Sequence, residues 1–420
     1  MTPTADAPSG FPITLADIQH ARQTIRDVVI NTPILPAAQL SSELGAQVFY
    51  KAENTQYSGS FKVRGAFNTI AHLSAEEKHW GVIAPSAGNH AQGVALAAHL
   101  HGVRAVIVMP ERAPLKKIVA TRRFGAEVIL RGESFDDAAA YASELQARHG
   151  YTYIHAFDNP SVIAGQGTIG LEIAEALPNL TTLVVPIGGG GLIGGIALAL
   201  KALRPDTRIV GVQAAGCAPV PASLAAGHPI AVEAARTIAD GIAVKSPGRL
   251  TLPLIQALVD EVVVVDDEDI VLAIAHVVQN SRLVVEGAGA AGVAALLAGK
   301  TRLAPGSVTA VLLCGGNIDD ELLARVLETA MVRQGRYLLL RTSVEDRPGG
   351  LARLINLVAE TGASVLDLFH RRAMWRVPIT MAGVELVLEV RDEEHAQAVL
   401  ERLRRHGYRC ERDGVGPWPG

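Results

Sequence analysis

Cysteine is scarce in this chain: three in 420 residues, Cys217, Cys314 and Cys410, far apart and with no CxxC spacing. A disulfide framework or a zinc site needs a denser, closely spaced set, so neither is expected, and a reducing compartment fits. Aromatic residues make up only 4% and the formal net charge is -4. That leaves neither the stacking platforms nor the basic footprint that nucleic acid requires. No apolar run approaches the ~18 residues of a membrane helix. The start, Met1 to Phe11, also lacks a basic region followed by an apolar one. The expectation is a soluble, cytoplasmic protein with a small-molecule ligand, no membrane and no nucleic-acid partner.

What is present is ample apolar content, 49% hydrophobic against 19% charged, in a chain long enough for at least two domains. Thr14 followed three residues later by Asp17 reads as the cap of a first helix, with Ile13 and Ile18 placed as a hydrophobic staple. From Trp80 onward, short β-rich runs alternate with alanine-rich helical stretches. The runs begin at Gly81, Arg104, Ala126, Thr152, Thr182, Arg208, Glu261 and Val308. Nearly continuous apolar strands alternating with helices imply an α/β body of parallel sheets buried on both faces. After Gly335 the rhythm changes. Strands at Tyr337 to Val344, Ala363 to Arg371, Val384 to Val390 and near Tyr408, with helices at Gly349 to Glu360 and Glu393 to Arg405, predict a βαββαβ ferredoxin-like unit. The expected division is therefore residues 1–334 and 335–420.

Three loops follow apparent strands and precede helices or turns, which is where open α/β sheets collect ligands. The run Gly188-Gly189-Gly190-Gly191-Leu192 lies between an apolar strand and a helix. Backbone N–H groups freed by glycine, at the positive end of a helix, suit a phosphate; the bland reading is a flexible turn with close helix packing. A dinucleotide fold is disfavoured, because its glycine fingerprint should come early, with an acidic residue about twenty positions on. Ser86, Gly88, Asn89 and His90 form a second loop that could hold a carboxylate or a phenolic oxygen, although helix capping alone would explain Ser and Asn there. Cys314 to Asn317 close a third strand, where a cysteine is more often plain packing. Lys62 stands between Phe61 and Val63; a lysine usually starts a solvated helix, but a desolvated one becomes a Schiff-base nucleophile. A phosphate loop together with such a lysine suggests pyridoxal phosphate.

With these residues in hand, the chain resembles the pyridoxal-phosphate enzymes of the tryptophan-synthase β fold (fold type II), and within them the threonine/serine dehydratases. The resemblance runs from Thr14 to Asp320 and continues into the tail. It rests on four ordered motifs besides the glycine run: Ser60 to Ala66, Ser86 to His90, Glu286 to Gly289 and Cys314 to Asn317. Val63 stands where the synthases of the fold carry aspartate, which favours a dehydratase. Ala87 stands where serine racemases resembling this chain carry a second base. The resemblance implies a two-lobed catalytic domain, its smaller lobe spanning roughly residues 55–160. It further implies that Lys62 carries the cofactor as a Schiff base and serves as the base, that Phe61 lies against the ring, and that Asn89 bonds the 3′ oxygen. Gly188, Gly189, Gly190, Gly191 and Leu192 would take the phosphate, and Cys314 would face the pyridine nitrogen. Ser86, Gly88, Asn89 and His90 would receive the substrate carboxylate.

The activity so implied is ammonia-lyase elimination on L-threonine, giving 2-oxobutanoate and ammonia, with a side activity on L-serine. L-Serine or 3-hydroxyaspartate as the main substrate is the alternative, and a non-catalytic amino-acid sensor is the rival of another class. Gln213 stands where relatives that bind a cation have glutamate, so no metal site is expected, while a monovalent ion held by carbonyls stays compatible. The tail, with Asp346 to Leu351, resembles the ACT domains that sense amino acids, implying an amino-acid effector or bare dimerisation. A single such unit gives no ground to assume inhibition by isoleucine. The resemblance also implies a homo-oligomer, a tetramer.

Overall fold

The computed structural model describes residues 11–372 and 377–412. Its strands are β1 (Ile34–Pro36), β2 (Gln47–Lys51), β3 (Val82–Pro85), β4 (Ala105–Met109), β5 (Glu127–Leu130), β6 (Thr152–Tyr153) and β7 (Thr182–Pro186), then β8 (Arg208–Ala214), β9 (Glu261–Val265), β10 (Val308–Leu312), β11 (Tyr337–Glu345), β12 (Ser364–Arg371), β13 (Met381–Glu389) and β14 (Glu411–Arg412). They form three sheets, and the chain divides into two compact units, Met1–Asp319 and Asp320–Gly420.

The first unit holds two sheets. In the larger, ordered β1-β2-β10-β7-β8-β9, every pair is parallel except β1 with β2. The smaller, β5-β4-β3-β6, is parallel throughout. Central strands β3, β4 and β7 are buried at every residue, as strands covered by helices on both faces must be. The α/β body of parallel sheets is therefore as expected. Two strands were not expected, β1 and β2. β1 has only three residues, ends in Pro36 and is an antiparallel edge, where proline is tolerated. At the start of the described chain, Thr14 and Asp17 form the capping box of helix Leu15–Ile25, and Ile13 and Ile18 are buried in one cluster.

The second unit shows the βαββαβ order, with an antiparallel sheet β12-β13-β11-β14. Alternate residues of β11 and β13 point to the core of that sheet, against helices Gly350–Ala359 and Glu393–Arg405. Two details differ from expectation. The division falls ahead of helix Asp320–Arg333, not near Gly335, because that helix packs against β11; Gly335, at φ +69°, is the turn joining them. The last strand pairs through Glu411 and Arg412 with Arg341 and Leu340, not near Tyr408. Gly407, at φ +87°, turns the chain there, and Tyr408 instead packs against the apolar core.

The element that places Lys62 is helix Lys62–Ala71, packed on the long buried helix Pro160–Ala176. The backbones nearly touch: a methyl group at Gly165 would lie 2.6 Å from the Gly65 Cα. Two residues after Lys62, the guanidinium of Arg64 is wholly buried and bonds both oxygens of Glu53, at 2.8 and 2.9 Å, and both of Glu172, at 2.6 and 3.0 Å. Lys51, also buried, completes the cluster by pairing with Glu172 and donating to the Thr32 carbonyl at 2.7 Å. Two cations thus meet two anions out of water. Such a cluster is weak evidence of net stability, but removal of one member strands a buried charge. Arg64→Met is accordingly expected to destabilise the first unit by about 3–5 kcal/mol, read as a lower denaturant midpoint; a change under about 1 kcal/mol would show that the remaining charges find other partners.

Candidate active site

Within the first unit, one cavity of about 790 Å³ is lined by Phe61, Lys62, Ser86 to His90, Gly188 to Leu192, Glu286 and Cys314. Segments distant in sequence are brought together here: β7 and β10 are parallel neighbours in the larger sheet and β3 lies in the smaller, parallel one. The Ser86, Gly188 and Cys314 loops follow the carboxyl ends of these strands. The lysine segment is stitched to the cysteine loop: Phe61 N–H donates to the Cys314 carbonyl at 3.2 Å, and Ser60 bridges to Gly315.

Lys62 begins its helix, and its amine reaches into the cavity to donate to the Ala156 carbonyl at 3.0 Å. Burial lowers its pKa to about 8, against smaller opposing effects of Cys314 and Glu286. The amine is therefore partly neutral near physiological pH, the state a nucleophile or base requires. The same burial pushes the Cys314 thiol well up, so it stays a neutral thiol.

The glycine run is a rigid cradle. Gly190, at φ +96°, caps helix Gly191–Leu203, and a side chain there would lie 2.7 Å from the Thr251 hydroxyl. A methyl at Gly189 would collide with the Phe157 ring. Thr251 Oγ1 holds the loop by donating to the Gly189 carbonyl at 2.6 Å. The first N–H groups of the helix have no partner within it and carry its positive dipole end, the donor set a phosphate needs.

In the second loop, Gly88 caps helix Asn89–Leu100, and Ser86 Oγ accepts from the Gly88 N–H at 3.2 Å. Asn89 donates from Nδ2 to Glu286 Oε1 at 2.6 Å, while its Oδ1 is buried without a partner among the described residues. His90 lines the cavity, but its ring turns away to the Ile154 carbonyl at 2.8 Å, and burial, then the charge of Lys62, lower its pKa to about 3. A neutral ring already committed to a carbonyl leaves the backbone N–H as the part of His90 that faces a ligand. Gln213 is buried with both ends of its amide engaged: Nε2 donates to the Ile187 carbonyl at 3.3 Å and Oε1 accepts from the Val220 N–H at 2.8 Å.

Residues 25–315 match the family described as pyridoxal-phosphate dependent enzyme. The chain belongs to that family. It is 48% identical to the L-threonine ammonia-lyase of Thermotoga maritima over 94% of this chain and 98% of that one. Among solved structures it is similar to the processed form of threonine deaminase isoform 2 of Solanum lycopersicum (39% identity, 79% of this chain, 91% of that one, TM-score 0.74). It is also similar to maize serine racemase (35% identity, 77% and 99%, TM-score 0.72).

For a pyridoxal-phosphate dependent enzyme the residues present fit the cofactor. A desolvated amine, a helix start free of side chains and an amide with an unpartnered buried oxygen answer its aldehyde, phosphate and ring oxygen in kind. Two contributors were not singled out from the sequence. In the sequence Glu286 is only the first residue of a motif, yet it lines the cavity. Phe157 packs under the glycines and belongs to a segment with no motif. The signal for Glu286 was an acidic residue ahead of an otherwise apolar, glycine-rich helix.

Stripped of its cofactor, the protein is expected to show one amine reacting with trinitrobenzenesulfonate along a titration centred near pH 8, rising as the pH rises because the neutral amine attacks. Lys62→Ala should abolish that phase; a phase unchanged in the variant would assign it elsewhere.

Proposed function

We propose that this enzyme is an L-threonine ammonia-lyase that converts L-threonine to 2-oxobutanoate and ammonia, with a side activity on L-serine. The observation that carries the reading is the desolvated Lys62 amine sharing its cavity with Ala87, which supplies no second base in the Ser86 to His90 loop. The name of the Thermotoga maritima relative supports it across nearly the whole chain.

Pyridoxal phosphate, when bound, withdraws electrons from the substrate α-carbon and so acidifies its proton. Lys62 would hold the cofactor, Gly188 to Leu192 would take its phosphate through backbone N–H groups, and Asn89 would bond its ring oxygen. Phe61 would lie against the ring. Cys314 would meet the pyridine nitrogen as a neutral thiol, which does not enforce protonation there and so favours elimination over transamination. Ser86, Gly88, Asn89 and the backbone of His90 would orient the substrate carboxylate. Lys62 Nζ, partly neutral at the cavity wall, would take the α-proton of the bound amino acid. The α-hydrogen and the β-hydroxyl would thus be lost together as one water, and the enamine product would take up a water and release ammonia to give 2-oxobutanoate. Serine would give pyruvate by the same route, since a methyl group in an apolar pocket changes discrimination by only about 1–3 kcal/mol.

The first unit would carry catalysis, its smaller lobe built on the sheet β5-β4-β3-β6. The second would be an ACT-like unit that pairs with another copy and takes an amino-acid effector, supported by its βαββαβ order and by the relatives' coverage of the tail. The assembly would be a tetramer acting in the cytoplasm, where the three free cysteines stay reduced.

The test is 2-oxo acid formation by the cofactor-loaded protein with L-threonine, L-serine and threo-3-hydroxyaspartate, with Lys62→Ala as control. Threonine is expected to turn over fastest, and the variant to lose at least about a thousandfold, the loss of both anchor and base. Preference for another substrate would change the assigned activity, and no product from any would favour the amino-acid sensor. A monomer in light scattering would overturn the tetramer.

A further inference from the structure

Glu286 is a carboxyl that the cavity buries at a cost. It is 4% exposed, it sits at the start of helix Gly287–Leu297, and its backbone N–H donates to the Gly315 carbonyl at 3.1 Å. Room for the side chain exists because two neighbours lack a Cβ: one at Gly315 would collide with Oε1, and one at Gly241 would lie 3.3 Å from it. A buried carboxyl is expensive unless it is paired or used. Its carboxyl accepts from the backbone of Asn317 and from the side chain of Asn89, the residue assigned to the cofactor oxygen.

We propose that Glu286 is a positioning residue for the bound cofactor: its carboxyl fixes the orientation of the Asn89 amide and sets the charge beside Lys62. The inference rests on the placement of Lys62 and Asn89 at the cofactor. An ionised carboxylate only accepts, so it selects the amide orientation that turns Nδ2 towards it and leaves the second Nδ2 hydrogen for a ligand oxygen. A protonated carboxyl can donate as well, and both amide orientations become allowed.

The titratable groups facing Glu286 are Asp240 on the turn at Asp240–Ile242, Lys117 on helix Leu115–Arg123, Lys62, and the neutral thiol of Cys314. Burial first, then Asp240, raise its pKa to about 7, while Asn89, Lys117 and the backbone of Asn317 pull it down. The carboxyl therefore changes state across neutral pH. Above that point the amide is locked and a negative charge supports a protonated Schiff base at Lys62; below it both effects are lost.

The experiment is a pH titration of the visible absorbance of the loaded enzyme without substrate. Wild type is expected to show a transition near pH 7, which Glu286→Asp keeps and Glu286→Gln loses while retaining cofactor. A wild-type transition surviving in Glu286→Gln overturns the proposal. Should that variant fail to fold by circular dichroism, infrared spectra of wild type decide. A protonated-carboxyl band must appear below pH 7 together with the absorbance change, and its absence at that pH overturns the proposal equally. Lys62→Ala separates the two readings: a visible band and titration that survive it refute the assignment of Lys62, whereas their loss leaves the Glu286 outcome to stand by itself.

Discussion

Arg64 anchors the site. Its guanidinium has no exposure, and it joins four parts of the chain: Glu53 after β2, Glu172 on helix Pro160–Ala176, the carbonyl of Ile30, and its own helix, which Lys62 begins. With Lys51 the charges balance, so the cluster is tolerable in a dry interior only as a complete set. The helix start is thereby held on helix Pro160–Ala176 by the ion pair of Arg64 with Glu172 and by the close Gly65–Gly165 approach. A lysine on a long flexible stem becomes useful at a defined point only when its backbone cannot shift.

The electrostatics of the cavity have one shared cause. Taking groups out of water disfavours whichever form is charged, so the Lys62 amine falls to about 8, the Glu286 carboxyl rises to about 7 and the His90 ring falls to about 3. The thiol of Cys314 rises as well. Amine and carboxyl are thereby brought close to one another and to neutrality, which suits proton transfer. His90 is carried far below it and serves as a packed hydrogen-bond donor to Ile154.

Much of the layout was legible in order along the chain. The alternation of apolar strands with helices announced parallel sheets, and Lys62, Asn89, the glycine run and Cys314 could each be picked out because strand, turn and helix signals flank them. Less legible were elements whose reason lies elsewhere in the fold. β1, of three residues, is too short to carry a periodic signal, and the last strand is placed by its pairing with β11 rather than by its own residues. Helix Asp320–Arg333 reads as the end of one unit and packs with the other.

By itself the sequence determined the classes of element, the loops at which a ligand could be met and the residue types able to hold it, since periodicity, glycine and the chemistry of a side chain are local properties. Tertiary structure alone decided that those loops share one cavity, that Arg64 is an internal ion and not a surface charge, that the His90 ring faces away, and that Glu286 holds Asn89. These are facts of burial and of contact between residues as far apart as Asn89 and Glu286, and the loss of water that shifts their protonation exists only once the sheets have closed around them.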